Sequence, residues 1–349
     1  MSVFNALFSP IKTHHIKVQN PELTLPYEFT FFHVPTMHID TVLSAKILVK
    51  RLGHLLYPML DKLIKNEQNP TKRTRYMQIK TWIYKKTVYH PNLVEKCTKR
   101  LIKNMQNSEA LNNLPLDFKT IRQDVCITAI LHDIGRLCEV GICNKSVIIK
   151  PKALNKSHAV LAYEILKDAH IKPEILLAVK HHDFSDLSKV KTDELYLGLD
   201  ENGKKLADFY IRVVQDMDKT GNLKERSMCG IQKSAEFFSK AFLKDYHISD
   251  NCLQTALSGQ YLGVQKGHLL DVMVHYVTRG YNTHFKQTKQ MISKMAPDLF
   301  KQIYLEAWRE YQSAPDKNEE RFHQTLRKIA RLEEYALSHH FNTKNQPEN

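Results

Sequence analysis

The sequence predicts an all-α fold, and three observations carry that expectation. Gly is scarce, 11 in 349 residues, while Leu, Lys, Ile and Ala are plentiful, a mix that favours helices over strand-and-turn architecture. Apolar residues recur at three- and four-residue steps through most of the chain. No stretch shows convincing strand-like alternation.

Taken in order, the first 30 residues carry Pro10, Pro21 and Pro26 and read as an irregular lead-in. Between 38 and 65, Val42, Ala45, Leu48, Leu52 and Leu55 keep a helical period. The polar stretch Asn66–Arg75 reads as a loop. Pro91 suits a helical first turn, and Leu93, Val94, Cys97, Leu101, Ile102 and Met105 form one face behind it. A helix from about Asp117 to Leu137 is apolar nearly all round between Val125 and Leu131, so it should be buried. Ser157 caps the next helix, Pro173 starts another that ends at His181-His182, and a further one covers Leu206 to Lys219. From about Ile231 to Ser338 the pattern is again helical, ending in a polar tail. The organisation expected is an N-terminal helical extension over 1–75, a core over 76–235 and a C-terminal helical region over 236–349.

Composition sets the bounds. With 42% hydrophobic and 25% charged residues, a packed core is feasible and wholesale disorder is excluded. None of the six Cys forms Cys-x-x-Cys, so they read as reduced core thiols of a cytoplasmic protein, not a disulfide frame or zinc ribbon. No signal-peptide core and no apolar run of about 18 residues is present, so no membrane span is expected. Lys and Arg outnumber Asp and Glu by 51 to 37, which concentrates anions near the protein without choosing among nucleotides, nucleic acids and acidic lipids. The basic residues read as spread along the chain, apart from a modest cluster near Lys62–Lys86. Without an aromatic-interleaved basic strand or a helix-turn-helix pattern, nucleic acid is not the favoured partner.

The chemistry sits at helix ends. His132 and Asp133 follow the most apolar helical run, where a charged Asp is costly unless it is paired or binds a metal. His90 precedes one apolar helix and His158 begins another. His181 and His182 close a third, and Asp216 and Asp218 interrupt a fourth. Any single His of this kind is more often an ordinary core residue; the combination points to a divalent metal such as Mn, Fe, Co, Ni or Zn.

Ala129-Ile-Leu-His-Asp-Ile-Gly-Arg136 resembles the signature of the HD-domain superfamily of metal-dependent phosphohydrolases, in its multi-His branch. Tyr89–Val94, Ser157–Leu166, Leu177–Asp183 and Val213–Lys219 are similar to the family's other ligand segments, in the same order, and the resemblance covers about residues 85 to 225. It implies a helical HD-domain fold with N- and C-terminal helical extensions. It also implies one or two ions held by His90, His132, Asp133, His158, His182 and Asp218, with His181 as the alternative to its neighbour. Asp133 bridges the ions, and Arg136 and Lys219, with Lys180 behind them, are phosphate-contact candidates. The expected substrate is a small phosphate ester of the nucleotide class, turned over by metal-activated water.

The segment after the paired His lacks the Gly-Tyr-Pro run of the cyclic-dinucleotide phosphodiesterases, and Met217-Asp-Lys-Thr-Gly221 does not match the guanosine tetraphosphate hydrolases. A catalytically silent nucleotide sensor and an HD-fold di-iron oxygenase are the competing readings. The sequence leaves a homo-oligomer open.

Overall fold

A computed structural model describes residues 9–18, 27–143, 146–149, 156–183, 187–229, 245–260 and 268–341. Outside the described residues lie the helix start expected near Ile231, the Phe184–Asp186 segment after the paired His and the polar tail beyond 341, as do the Cys143 and Cys229 side chains. The protein is predominantly α-helical and divides into two compact units, Met1–Met217 and Asp218–Asn349.

In the first unit, α1 (Val42–Asn66) starts at a capping box in which Thr41 and Ser44 bond reciprocally, and it buries Leu48, Leu52, Leu56 and Leu60. The polar stretch 66–75 is not a loop. Only Glu67–Asn69 intervene before α2 (Pro70–Tyr84), because the Asn69 side chain accepts from the Thr71 and Lys72 amides and Pro70 fits the first turn. Polar composition there reflects an exposed helix face, with Tyr76, Ile79, Trp82 and Ile83 buried on the other side.

A π-helical turn, Lys85–Tyr89, joins α2 to α3 (His90–Asn104) without a break. Its mark is the His90 amide donating to the Lys85 carbonyl, five residues back. Pro91 has no N–H to give to the preceding turn, and a widened turn just before it is where a helix absorbs that loss. α4 (Phe118–Leu131), capped by Asp117, carries the apolar run and packs on α1 and α3. A 3₁₀ turn over Ile134–Glu139 follows, then α5 (His158–Leu166), capped by Ser157, and α6 (Pro173–His181).

Contrary to the sequence expectation, a four-stranded antiparallel sheet is present, in the order β1 (Lys12–Val18), β2 (Tyr27–His33), β3 (Val140–Cys143) and β4 (Ser146–Ile149). Lys12 through Lys17 are all exposed, so β1 shows no apolar alternation; it is held by pairing with β2, whose Phe29, Phe31 and Phe32 are buried. Pro10 lies just outside β1, where proline is tolerated. A Cβ at Gly141 would come within 2.6 Å of the Phe29 ring, so this cross-strand pair requires glycine. β3 continues directly from the 3₁₀ turn and so anchors the chain just after Asp133.

α7 (Glu201–Cys229) runs across the division between the units. The second unit adds α8 (Asp250–Leu257), α9 (Leu269–Thr278), α10 (Lys286–Ser293), α11 (Ala296–Ser313) and α12 (Glu319–Tyr335). Its core holds Leu270, Met273, Ile292, Phe300, Ile303 and Ile329. Among the described residues, no helix is long and apolar enough to cross a membrane. Cys97, Cys126, Cys138 and Cys252 are free and buried, and burial pushes the Cys126 and Cys138 thiols up to about 12, leaving them unreactive.

Candidate metal centre

Four segments of the first unit deliver side chains to one buried point. His90 opens α3, His132 and Asp133 close α4, His158 opens α5 and His182 follows α6. His90 and His132 are wholly buried, and Asp133 is 3% exposed.

Asp133 is the hub. Its Oδ2 lies 3.8 Å from His90 Nε2 and 3.9 Å from His132 Nε2, while its Oδ1 lies 3.3 Å from His158 Nε2 and 4.0 Å from His182 Nε2. One histidine pair faces each carboxylate oxygen. The donor atoms form two sets, His90–His132–Asp133 and Asp133–His158–His182, each compact enough to hold a metal ion.

The ring tautomers follow from the backbone. His132 Nδ1 donates to the Ala129 carbonyl and His182 Nδ1 to the Val179 carbonyl, both at 2.8 Å, which turns each Nε2 lone pair inward. His158 and His182 bring their Nε2 atoms to 3.1 Å of each other. Burial and the neighbouring Arg136 guanidinium hold the His158 imidazolium far below the ordinary range, so that ring is neutral. Two inward-facing imidazole nitrogens beside a carboxylate are a donor set suited to a divalent transition metal, and the residues fit such an ion.

Two cations flank the hub. Arg136 Nε donates to Asp133 Oδ1 at 2.8 Å, and Lys86 Nζ donates to Oδ2 at 2.9 Å. Burial alone would push the Asp133 carboxyl up; Arg136 and Lys86 outweigh it and hold the group well below the carboxylate range. Arg136 also approaches His158 Nε2 at 3.3 Å and Glu139 Oε2 at 3.6 Å. Glu139 is 2% exposed, and burial raises it to about 7.

Gly135 makes the arrangement possible. A Cβ there would sit 2.0 Å from the His158 carbonyl oxygen and 2.5 Å from the Ala162 nitrogen, so only glycine lets the 3₁₀ turn lie against α5.

The other sequence candidates stand outside the two ligand sets. His181 turns to Asp193, with Nε2 at 2.7 Å from Oδ2, and Lys180 Nζ meets the same oxygen at 2.6 Å; of the paired histidines, His182 joins the cluster. Asp216 is wholly buried and Asp218 partly so, its Oδ1 accepting from Asn222 Nδ2 at 2.8 Å; neither belongs to the two ligand sets. Lys219 Nζ donates to the Asn282 carbonyl within the second unit. Sequence reasoning missed Lys86, whose one signal is its place four residues before His90 on the same helical rod. It also missed Glu139, three residues beyond Arg136.

No protein family, no curated protein and no solved structure matches the chain.

Proposed function

We propose that the protein is a metal-dependent phosphohydrolase acting on a phosphate ester of the nucleotide class. The observation that carries the reading is the hub: histidine pairs on both oxygens of one buried carboxylate, with Arg136 and Lys86 beside it.

His90, His132 and Asp133 would hold one ion and Asp133, His158 and His182 a second; ions so held acidify water and neutralise charge on a phosphoryl oxygen. The protein's own groups do the rest. His132 and His182 are fixed by backbone carbonyls, so the ligand set is ordered in advance. Arg136, its Nε held by Asp133, would turn a terminal guanidinium nitrogen to a phosphoryl oxygen, and Lys86, held by the other carboxylate oxygen, would add a point charge. Glu139, with its raised carboxyl, is a proton carrier poised near neutrality behind Arg136. The two flanking cations favour an anionic substrate over dioxygen, and so favour hydrolysis over the di-iron oxygenase reading.

The test is release of phosphate or nucleoside from a panel of nucleotides and simple phosphate esters, with Mn, Co or Ni added. Asp133→Ala should abolish turnover. Arg136→Ala should lower kcat/KM by roughly 10- to 100-fold, the loss of one charge-assisted hydrogen bond. A wild-type protein silent across the panel and free of metal overturns the reading; oxygen consumption by iron-loaded protein favours the oxygenase.

A further inference from the structure

The positive charge is not evenly spread. Residues 42–104 contain 15 Lys and Arg against 3 Asp and Glu, and all other residues together contain 36 against 34. Nearly the whole surplus therefore belongs to α1, α2, the π turn and α3.

The outer faces of these helices are where it sits. Lys50, Lys62, Lys65, Lys72, Arg73 and Arg100 are exposed, and none has an acidic partner among the described residues. α2 has a distinct outward stripe: Arg73, Met77, Lys80 and Tyr84 recur at steps of four, three and four, about 100° round the helix from the buried Tyr76, Ile79 and Ile83. Met77 and Tyr84 are each 53% exposed, a flat ring and a thioether held open between cations. Only Lys80 on that stripe is neutralised, by Asp61.

Many cations with almost no acids fit a polyanion, and the apolar groups between them narrow its kind. An acidic membrane surface is met by a broad apolar face, but among large apolar side chains α2 exposes only Met77 and Tyr84, and α1 adds only the widely separated Leu43 and Leu55. A duplex hides its base faces within the stack. A single strand exposes both phosphates and bases, and proteins that hold one pair a cationic track with an aromatic on which a base stacks.

We infer that single-stranded nucleic acid binds along the outer faces of α1 and α2, with phosphates on Lys62, Lys65, Lys72 and Arg73 and a base against Tyr84. The interaction uses no metal ligand and is independent of phosphohydrolase activity.

Fluorescence anisotropy of a labelled oligothymidylate of about 20 nucleotides, titrated with full-length protein in chelator, tests this. Saturable binding should weaken as salt rises. The double variant Lys72→Glu/Arg73→Glu should bind at least about 10-fold more weakly with a salt slope smaller by about one to two. Tyr84→Ala should lose several-fold in affinity with the slope unchanged. The control Lys294→Glu/Lys301→Glu, on exposed lysines of the second unit, should bind as wild type. All four substituted cations and Tyr84 are exposed, and circular dichroism and thermal melts confirm that each variant is folded. The inference is overturned by no saturation up to roughly 100 μM, by equal weakening in the control, by duplex DNA binding as tightly as the single strand with Tyr84→Ala without effect, or by phosphatidylserine vesicles binding where the oligonucleotide does not.

Discussion

Both units satisfy buried polar side chains within their own helices, and among the described residues the first also gathers charged and polar groups from separate elements. In the second unit Glu306 is 2% exposed and pairs with Arg309 one turn along its own helix, and Thr278 and Thr325 bond to carbonyls of their own helices. Around them the core is apolar and aromatic, with Tyr311 stacked on Phe322 at 4.3 Å between centroids. In the first unit His90, Asp133, His158 and His182 come from four separate segments and meet one another. Burial of polar groups does not mark a site; convergence of groups from different elements does. Local pairing satisfies a helix, whereas convergence brings lone pairs and like charges together at a cost only a function repays.

The largest difference should appear on breaking the hub. Asp133→Ala leaves Lys86 and Arg136 facing a buried space without their counter-ion and should cost about 3–5 kcal/mol in urea unfolding, with metal binding lost. Loss of under about 1 kcal/mol would make Asp133 a peripheral charge. Phe300→Ala, in the apolar core of the second unit, should cost a similar 3–5 kcal/mol by cavity formation but leave metal content per folded chain unchanged. If metal content falls with it, the contrast drawn between the two cores fails.

Gly135→Ala is subtler. The added methyl meets backbone on α5 and should cost about 3 kcal/mol while displacing His158, so metal affinity falls although no ligand is changed. Wild-type affinity in that variant would show the close approach to be unimportant. The smallest effect concerns pH. Glu139 is raised to about 7 by burial, so the folded state holds its proton more tightly than the unfolded state. Its contribution to stability therefore falls as pH rises from the ordinary carboxylate range towards 7 and stays low above that. In chelated protein, Glu139→Gln should remove this slope and gain ~2 kcal/mol at pH 8 relative to wild type; parallel stability curves for the two proteins would refute it.

The helices were readable because caps and prolines mark them: Asp117, Ser157 and Pro173 each stand at the start of the helix they announce. Five of the six ligands that the resemblance implies, His90, His132, Asp133, His158 and His182, do converge, since each stands at a helix end. The sheet was invisible because β1 is exposed along most of its length and owes its form to a partner strand. Lys86 was hidden for a related reason. It reads as one of a run of lysines, and only the π turn before Pro91 shows that it shares a helical rod with His90. In the sequence the α2 cations show only as a modest cluster, because the polar composition of 66–75 hides the helix that makes them one ordered face.

The central claim is a pair of adjoining metal sets sharing Asp133, and metal stoichiometry tests it most directly. Elemental analysis after loading with Mn or Co should give two ions per chain for wild type, one for His90→Ala and one for His158→Ala. It should give none for Asp133→Ala. Wild type with no bound metal, or a stoichiometry the same in all four proteins, would contradict the account.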